Sequence, residues 1–238
     1  MKSINYFAFV ILFIGVSLLS CTKDDNSNEL AIKFGLGKVV SEECSNNVNY
    51  NWYIDQTTTG KYASINCGPS CVTMAIKWVD PAFSKEAVDA REAYGSEGGG
   101  WPISYITNYL NDNGISHTTL TAINANAKTL KNQLKSGNIT ILALDAYYIR
   151  KHEGDPELRI YKYYTTYSSP VPHYIIAKGY KVVDNILWFE IYDPAGFYER
   201  YKDGTPRGRD RYYRSDDIIN AMEKLYFNAI PMVVVKKK

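Results

Sequence analysis

The chain has 238 residues, with 27 lysines and arginines against 25 aspartates and glutamates, and a formal net charge of +2 at pH 7. A charge so close to zero argues against a broad nucleic-acid-binding surface, which needs a dense basic face. The sequence contains 4 cysteines and 3 histidines, so thiol or imidazole chemistry is restricted to a few positions.

The first 20 residues have the pattern of a lipoprotein signal peptide. Lys2 precedes the apolar run YFAFVILFIGVSLL at 6–19, which is shorter than a comfortable membrane span. The run ends in LLSC, which resembles a lipobox and implies cleavage before Cys21 and attachment of lipid to that cysteine. An ordinary secreted protein cut nearby is the alternative. We therefore predict a signal peptide over 1–20 and a mature protein anchored to the membrane through lipid on Cys21.

The polar residues that follow predict a flexible tether over 21–40, and 41–238 is long enough to form one domain with a real core. Lys23, Asp24 and Asp25 resemble the basic-then-acidic signal that sends some Gram-negative lipoproteins to the outer surface. We therefore expect a monomeric bacterial outer membrane lipoprotein that does not bind nucleic acid, with exposure at the cell surface as the finer expectation.

Apolar spacing and capping residues predict helices mainly in the first half of the domain. Val72, Ala75, Ile76 and Val79 fall at i, i+3, i+4 and i+7 spacing. Ser84 can cap a second helix through its side-chain oxygen. The predicted helices cover 66–79, 84–94, 102–111, 124–135 and 216–225.

Alternating and continuous apolar runs predict strands mainly in the second half. Asp184 and Asn185 can form a tight turn between two of them. The predicted strands cover 139–146, 173–183, 186–193, 197–203 and 228–236, and the middle three should form an antiparallel meander. Because helices come first and strands second, the expected fold class is α+β.

Cys67 lies where a helix is predicted to begin, in the stretch SINCGPSC. Unpaired backbone N–H groups and the positive end of the helix dipole stabilise a thiolate there, and the thiolate is the nucleophilic form of cysteine. Gly68 allows a sharp turn and Pro69 is comfortable in a first helical turn. Cys71 lies one turn further on and is expected to pack or to form a disulfide. The sequence thus favours Cys67 as the reactive thiol.

A reactive thiol needs a base, and His173 is the best placed histidine. His117 follows the end of a predicted helix and has no candidate catalytic partner near it in the sequence, and His152 lies in a charged loop. His173 opens one strand of the predicted meander, and Asp193 ends the next. Because the start of one antiparallel strand faces the end of its neighbour, His173 and Asp193 should lie side by side, which completes a Cys–His–Asp triad.

The reaction also needs donors for the oxyanion that forms on the attacked carbonyl. Gln56 lies in a loop eleven residues before Cys67, and its amide N–H could point to the same site. The backbone N–H of Cys67 would be the second donor.

Together, Gln56 and the motifs NCGPSCVTMAIKW, VPHYIIAKGY and IYDPAG resemble the papain-like cysteine peptidases. The pattern is most like the bacteriocin-processing (double-glycine) peptidases and their stand-alone relatives, and it spans about residues 50 to 200. The resemblance implies N-terminal helices packed on a C-terminal antiparallel sheet. It also implies a peptide or protein substrate and neither cofactor nor metal ion.

For individual residues, the resemblance implies that Cys67 is the nucleophile, His173 the base, Asp193 the orienting carboxylate and Gln56 the oxyanion donor. Bacteriocin-processing members are usually fused to a membrane transporter, which this sequence does not contain. Cleavage after a Gly-Gly leader is therefore not carried over to this chain.

Several alternatives remain open at this point. Cys67, Cys71 and His173 could be three zinc ligands, although the spacing lacks the usual second ligand pair. Cys67 could instead be an idle thiol in helix packing. A catalytically idle lipoprotein that binds peptide or glycan, and a thiol amidase or transpeptidase, are further readings of the same residues.

Two segments are candidates for the substrate groove, the glycine-rich loop at 95–100 and the tyrosine-rich segment at 147–172. Secreted papain-like enzymes often have disulfides, and a Cys44–Cys71 bridge would leave Cys67 free. A Cys67–Cys71 bridge would abolish activity, and spacing does not decide between the pairings.

Overall fold

The computed structural model describes residues 26–121, 124–151, 154–162, 168–226 and 231–237. The predicted signal peptide, Cys21 and His152 lie outside these ranges. The described residues form one antiparallel sheet of seven strands in the order β2-β7-β3-β4-β5-β6, with β1 paired to the far end of β4. The strands are β1 Val40–Ser45, β2 His117–Leu120, β3 Ile139–Asp145, β4 Pro172–Val183, β5 Ile186–Tyr192, β6 Arg211–Arg214 and β7 Met232–Val235.

Helices cover both faces of this sheet. The helices are α1 Ser27–Phe34, α2 Cys67–Val79, α3 Ala87–Ala93, α4 Ile103–Asp112, α5 Ala127–Lys135 and α6 Ser215–Tyr226. Ile141 on β3 packs in the core that contains α2 and α4, whereas its neighbour Leu142 packs in the core that contains α5 and α6. Since successive strand residues point to opposite faces, β3 is buried along its whole length and is apolar except for Thr140 and Asp145. The predicted α+β fold class is confirmed.

The predicted meander is confirmed for its first two strands. Asp184 and Asn185 turn the chain between β4 and β5 with φ of 48° and 65°, as a two-residue hairpin turn requires. The strands keep one register from the Val183–Ile186 pair to the Gly179–Glu190 pair, and an irregularity between Gly179 and Ala177 shifts the register before the Ile176–Tyr192 pair. The start of β4 and the end of β5 therefore lie next to each other, at one end of these two strands.

The predicted strand over 197–203 is wrong. Phe197 and Tyr198 have left-handed φ of 52° and 61°, which cannot continue a strand. The strand that pairs with β5 is β6, which comes later in the chain and had not been predicted.

The second predicted helix, over 84–94, is confirmed as a helix, but its expected cap is wrong. The helix begins at Ala87, and Glu86 is its N-cap residue in place of Ser84. The backbone N–H of Glu86 donates to Asp89 Oδ2 at 2.7 Å, within a reciprocal capping box. Two acidic side chains thus replace the serine that the sequence suggested.

The predicted tether over 21–40 is too long. Residues Ser27–Phe34 form α1, and Ala31 on this helix is buried in a small core with Trp188 of β5. The folded part of the chain therefore begins before residue 41. In the ranges given above, no helix is both long enough and apolar enough to cross a bilayer.

Gly179 lies where β1, β4 and β5 meet, and its missing side chain makes that meeting possible. A Cβ at this position would collide with the backbone oxygen of Cys44 and would lie 3.0 Å from Ser45 Cα and 2.5 Å from Glu190 Oε2. Because two of these atoms belong to the backbone, moving them aside would cost free energy.

We therefore predict that Gly179→Ala lowers the free energy of unfolding by about 2 kcal/mol, as overpacking of a core does. Urea denaturation followed by tryptophan fluorescence measures the loss. Gly100→Ala is the control, because a Cβ at Gly100 has no neighbour within 4 Å. Equal stability of the two variants would contradict the prediction.

Candidate active site

Cys67 is the first residue of α2, and the sequence around it explains why the helix begins there. Pro69 lies in the first turn, where a missing N–H costs no hydrogen bond. Gly68 packs so closely on Trp101 that a Cβ would lie 2.8 Å from the Trp101 Cβ. The Cys67 side chain is partly exposed, whereas Cys71, one turn later, is fully buried.

The thiol of Cys67 is hydrogen bonded to His173, the second residue of β4. Burial alone would raise the pKa of Cys67, but the hydrogen bond and charge of His173, with backbone hydrogen bonds from Tyr174 and Gly68, lower it below that of a free thiol. For His173, burial opposes the charged form, but the charge and hydrogen bond of Asp193 and the contact with Cys67 raise the pKa to about 10. Both shifts favour the thiolate–imidazolium form of the pair over its neutral form.

Asp193 follows the last residue of β5 and is fully buried beside His173. Its Oδ1 accepts from His173 Nε2 at 2.7 Å and from the backbone N–H of Ala195 at 3.0 Å. Burial would raise the pKa of Asp193, but the His173 charge and hydrogen bond, with the charge of Arg211, lower it. Because Nε2 of His173 is bonded to Asp193, Nδ1 is the ring nitrogen left for the thiol. The predicted neighbourhood of His173 and Asp193 is observed.

Two further side chains, those of Tyr213 and Arg211, hold Asp193 in place, and sequence reasoning missed them. Tyr213 Oη donates to Asp193 Oδ2 at 2.8 Å, and Arg211 Nε donates to the same Tyr213 oxygen at 3.1 Å. Arg211 and Tyr213 are both buried and share one face of β6. The only available signal was the two-residue spacing of an arginine and a tyrosine in RDRYYRSDD, which does not reveal the strand that they face.

Gln56 lines the same cavity as Cys67. Its Nε2 donates to the backbone oxygens of Ala63 at 3.1 Å and Ser64 at 3.3 Å. Its backbone N–H donates to the oxygen of Pro194 at 2.7 Å, which ties the Gln56 loop to the segment after Asp193. The structure thus brings Gln56 to the site and fixes its amide nitrogen there.

The remaining cysteines and histidines lie elsewhere. Cys44 is disulfide-bonded to a partner outside the described residues, and Cys67 and Cys71 are both free thiols. The suggested Cys44–Cys71 bridge is therefore wrong, although Cys67 is free as expected. His117 lies on β2 and contacts the oxygen of Ile115 through Nδ1. Across the described ranges, no three His, Cys, Asp or Glu side chains are grouped so that they could hold a metal ion.

A cavity of about 410 Å³ opens beside the Cys67–His173 pair. Both predicted groove segments contribute to it, through Gly100 and Val171. Apart from the Cys67–His173 pair, none of the described lining residues carries a charged side chain. The other lining residues are Gln56, Ser64, Ile65, Trp101, Ala143, Ala146, Pro172, Tyr174, Ala195, Phe197 and Leu225.

The fold is similar to that of a solved peptidase-like structure. The crystal structure of a "putative C39-like peptidase from Bacillus anthracis" superposes with a TM-score of 0.52 at 12% sequence identity, covering 83% of this chain and 99% of the other. No protein-family model matches the sequence, and no curated protein matches it either. The similarity establishes a papain-like α+β fold with a peptidase-like structural relative. The reaction must therefore be inferred from the residues of the site.

The ion pair predicts how Cys67 reacts with iodoacetamide. We expect carboxamidomethylation of Cys67 to rise with pH at a midpoint below about 8.5, the value of a free thiol, because the charge of His173 favours the thiolate. In His173→Ala the midpoint should move to about 8.5 or higher, because the charge of His173 then no longer opposes the burial of the thiol. Peptide mass spectrometry at each pH measures both profiles.

Cys71 is an internal control in the same experiment. Burial, with the charges of Cys67 and Asp193, raises the pKa of Cys71 well above its usual range, so it should stay unlabelled in the folded protein. Wild-type labelling of Cys67 that titrates near 8.5 would contradict the ion pair.

Proposed function

We propose that this protein is a thiol hydrolase that cleaves an amide bond, specifically a cysteine peptidase. The observation that carries the proposal is the chain of hydrogen bonds from Cys67 through His173 to Asp193, set at the edge of an open cavity. The peptidase-like fold of the structural relative supports the same assignment.

In the first step, the Cys67 thiolate attacks the carbonyl carbon of the substrate. A carbon–sulfur bond forms and the carbonyl π electrons move to oxygen, which becomes an oxyanion. The backbone N–H of Cys67 lies at the start of α2, where N–H groups have no intrahelical acceptor and can donate to that oxygen. The Gln56 amide nitrogen carries two N–H groups, and one of them would turn from its backbone acceptor, Ala63 or Ser64, to the oxyanion.

In the second step, His173 gives its proton to the leaving amine as the carbon–nitrogen bond breaks, which leaves a thioester on Cys67. Water then attacks the thioester carbon while neutral His173 takes a proton from it. The tetrahedral intermediate collapses, the acid product leaves, and the thiolate–imidazolium pair is restored. Throughout, Asp193 orients the imidazole and compensates its charge.

The cavity favours a peptide with a large apolar group next to the cleaved bond. Its lining includes the apolar side chains of Ala143, Ala146, Val171 and Leu225, and that of Phe197, which is 48% exposed. A volume of about 410 Å³ is far more than a glycine needs. The proposal therefore differs from double-glycine processing in its substrate.

We predict that Cys67→Ala abolishes cleavage because the nucleophile is lost, while Cys71→Ala, a matched change one turn along the same helix, retains it. Asp193→Asn should lower kcat/KM by about 100-fold or more without abolishing it, because the imidazole loses its charged partner. Cleavage of a mixed peptide library with apolar and polar positions, read by mass spectrometry, measures these effects.

Full activity in Cys67→Ala would overturn the mechanism, and an unchanged rate in Asp193→Asn would remove Asp193 from it. A wild-type protein that binds library peptides without cleaving them would favour the idle binding lipoprotein. Aminolysis of the acyl-enzyme by added amines in place of hydrolysis would favour a transpeptidase.

We further propose that lipid on Cys21 anchors the protein to the bacterial outer membrane, on the strength of the apolar run over 6–19 and the LLSC sequence. The mature N-terminal peptide from the membrane fraction of a Gram-negative host should begin at Cys21 with an acylated mass, and Cys21→Ser should release the protein. A mature N-terminal peptide of unmodified mass, or a Cys21→Ser variant that stays in the membrane fraction, would overturn the anchor.

A further inference from the structure

Arg91 on α3 is a buried cation beside the candidate active site. The residue is 2% exposed, and its guanidinium donates to one side chain and three backbone oxygens. Nε donates to Asn66 Oδ1 at 2.8 Å and Nη2 to the oxygen of Ile65 at 2.9 Å. Nη1 donates to the oxygens of Gly99 at 3.1 Å and Gly95 at 3.3 Å. All four acceptors are uncharged.

These contacts join the two walls of the catalytic cleft. Ile65 and Asn66 are the two residues before Cys67, and Gly99 precedes the cavity residues Gly100 and Trp101. Gly95 and Gly99 have φ of 76° and 86°, so the loop that they form has wide backbone freedom unless something holds it. The guanidinium of Arg91, with its planar fork of N–H donors, fixes this loop against the segment that leads into the nucleophile.

The charge of Arg91 has no carboxylate partner among the described residues. Two other buried cations contrast with it, because Lys178 pairs with Glu190 and Asp210, and Arg159 pairs with Asp203. Burial of a charge without an opposite charge beside it is costly. Burial lowers the pKa of Arg91, and the charges of Cys67 and Tyr62 oppose that change. Of these two groups, Cys67 is the one that acts as an anion in the proposed mechanism.

We propose that Arg91 is a positioning residue of the candidate active site, whose guanidinium locks the Cys67 segment to the 95–99 loop and whose charge stabilises the Cys67 thiolate. The proposal rests on the proposed function, because it takes the thiolate as the reacting group. It adds a second cation besides His173, whose hydrogen bonds reach the two residues that precede the nucleophile.

The charge and the fork of hydrogen bonds can be separated by substitution. Arg91→Gln removes both, whereas Arg91→Lys keeps the charge and loses the planar fork. The titratable groups that face Cys67 are His173, Cys71 and, through His173, Asp193, and none of them changes in either variant.

The test is the pH profile of Cys67 labelling by iodoacetamide, measured together with kcat and KM for a library peptide. In Arg91→Gln we expect the labelling midpoint to rise by about 0.5 pH unit or more, because a nearby positive charge is lost. In Arg91→Lys the midpoint should stay at the wild-type value while kcat/KM falls by about tenfold, since the loop is no longer held. Arg159→Gln, a second buried arginine, is the control and should shift nothing.

An unchanged midpoint in folded Arg91→Gln, with Cys71 still protected from labelling, would overturn the charge role. A Lys variant with wild-type kcat/KM would overturn the positioning role. If Arg91→Gln does not fold, Arg91→Lys decides. This variant keeps the positive charge, so a shifted labelling midpoint in it would overturn the charge role. Labelling of Cys67 does not depend on peptide cleavage. If the wild-type protein cleaves no peptide but Arg91→Gln still shifts the labelling midpoint, the peptidase function is refuted and the role of Arg91 is retained.

Discussion

Asp193 holds a negative charge entirely out of water, and the arrangement of the site follows from the groups that stabilise it. Its carboxylate accepts from His173, Ala195 and Tyr213, and its backbone oxygen accepts from Tyr53 Oη at 3.0 Å. A buried carboxylate is tolerable only when it is paired and hydrogen bonded. The need to satisfy Asp193 therefore fixes the imidazole, the turn after β5 and the start of β6 together.

The nucleophile reaches this carboxylate because of how α2 packs on the sheet. The helix is buried almost along its whole length and lies on the face of β3 and β4 that carries Ile141 and Ile176. Its first residue is thereby held at the edge of the sheet where β4 begins. The helix start provides free N–H groups and the strand start provides His173, so packing of two regular elements creates the catalytic pair.

Sequence reasoning succeeded where local rules determine position. The rule that the start of one antiparallel strand faces the end of the next placed His173 beside Asp193. Reasoning failed where long-range contacts decide, as for β6, whose pairing with β5 depends on the left-handed residues at 197 and 198. Arg91 and Arg211 were missed because most of their acceptors are backbone oxygens, and no spacing rule connects an arginine to a backbone oxygen.

The distribution of buried charge suggests how the site assists the reaction. In the proposed mechanism, the Cys67 thiolate and the Asp193 carboxylate interact with three cations, which are His173, Arg91 and Arg211. During attack the negative charge moves from sulfur to the substrate oxygen and stays among these cations. Since Arg91 and Arg211 are fixed by hydrogen bonds before substrate arrives, little reorganisation is needed when the charge moves. Lys178 on β4 forms the contrasting case, because its two carboxylate partners neutralise it and leave it a purely structural role.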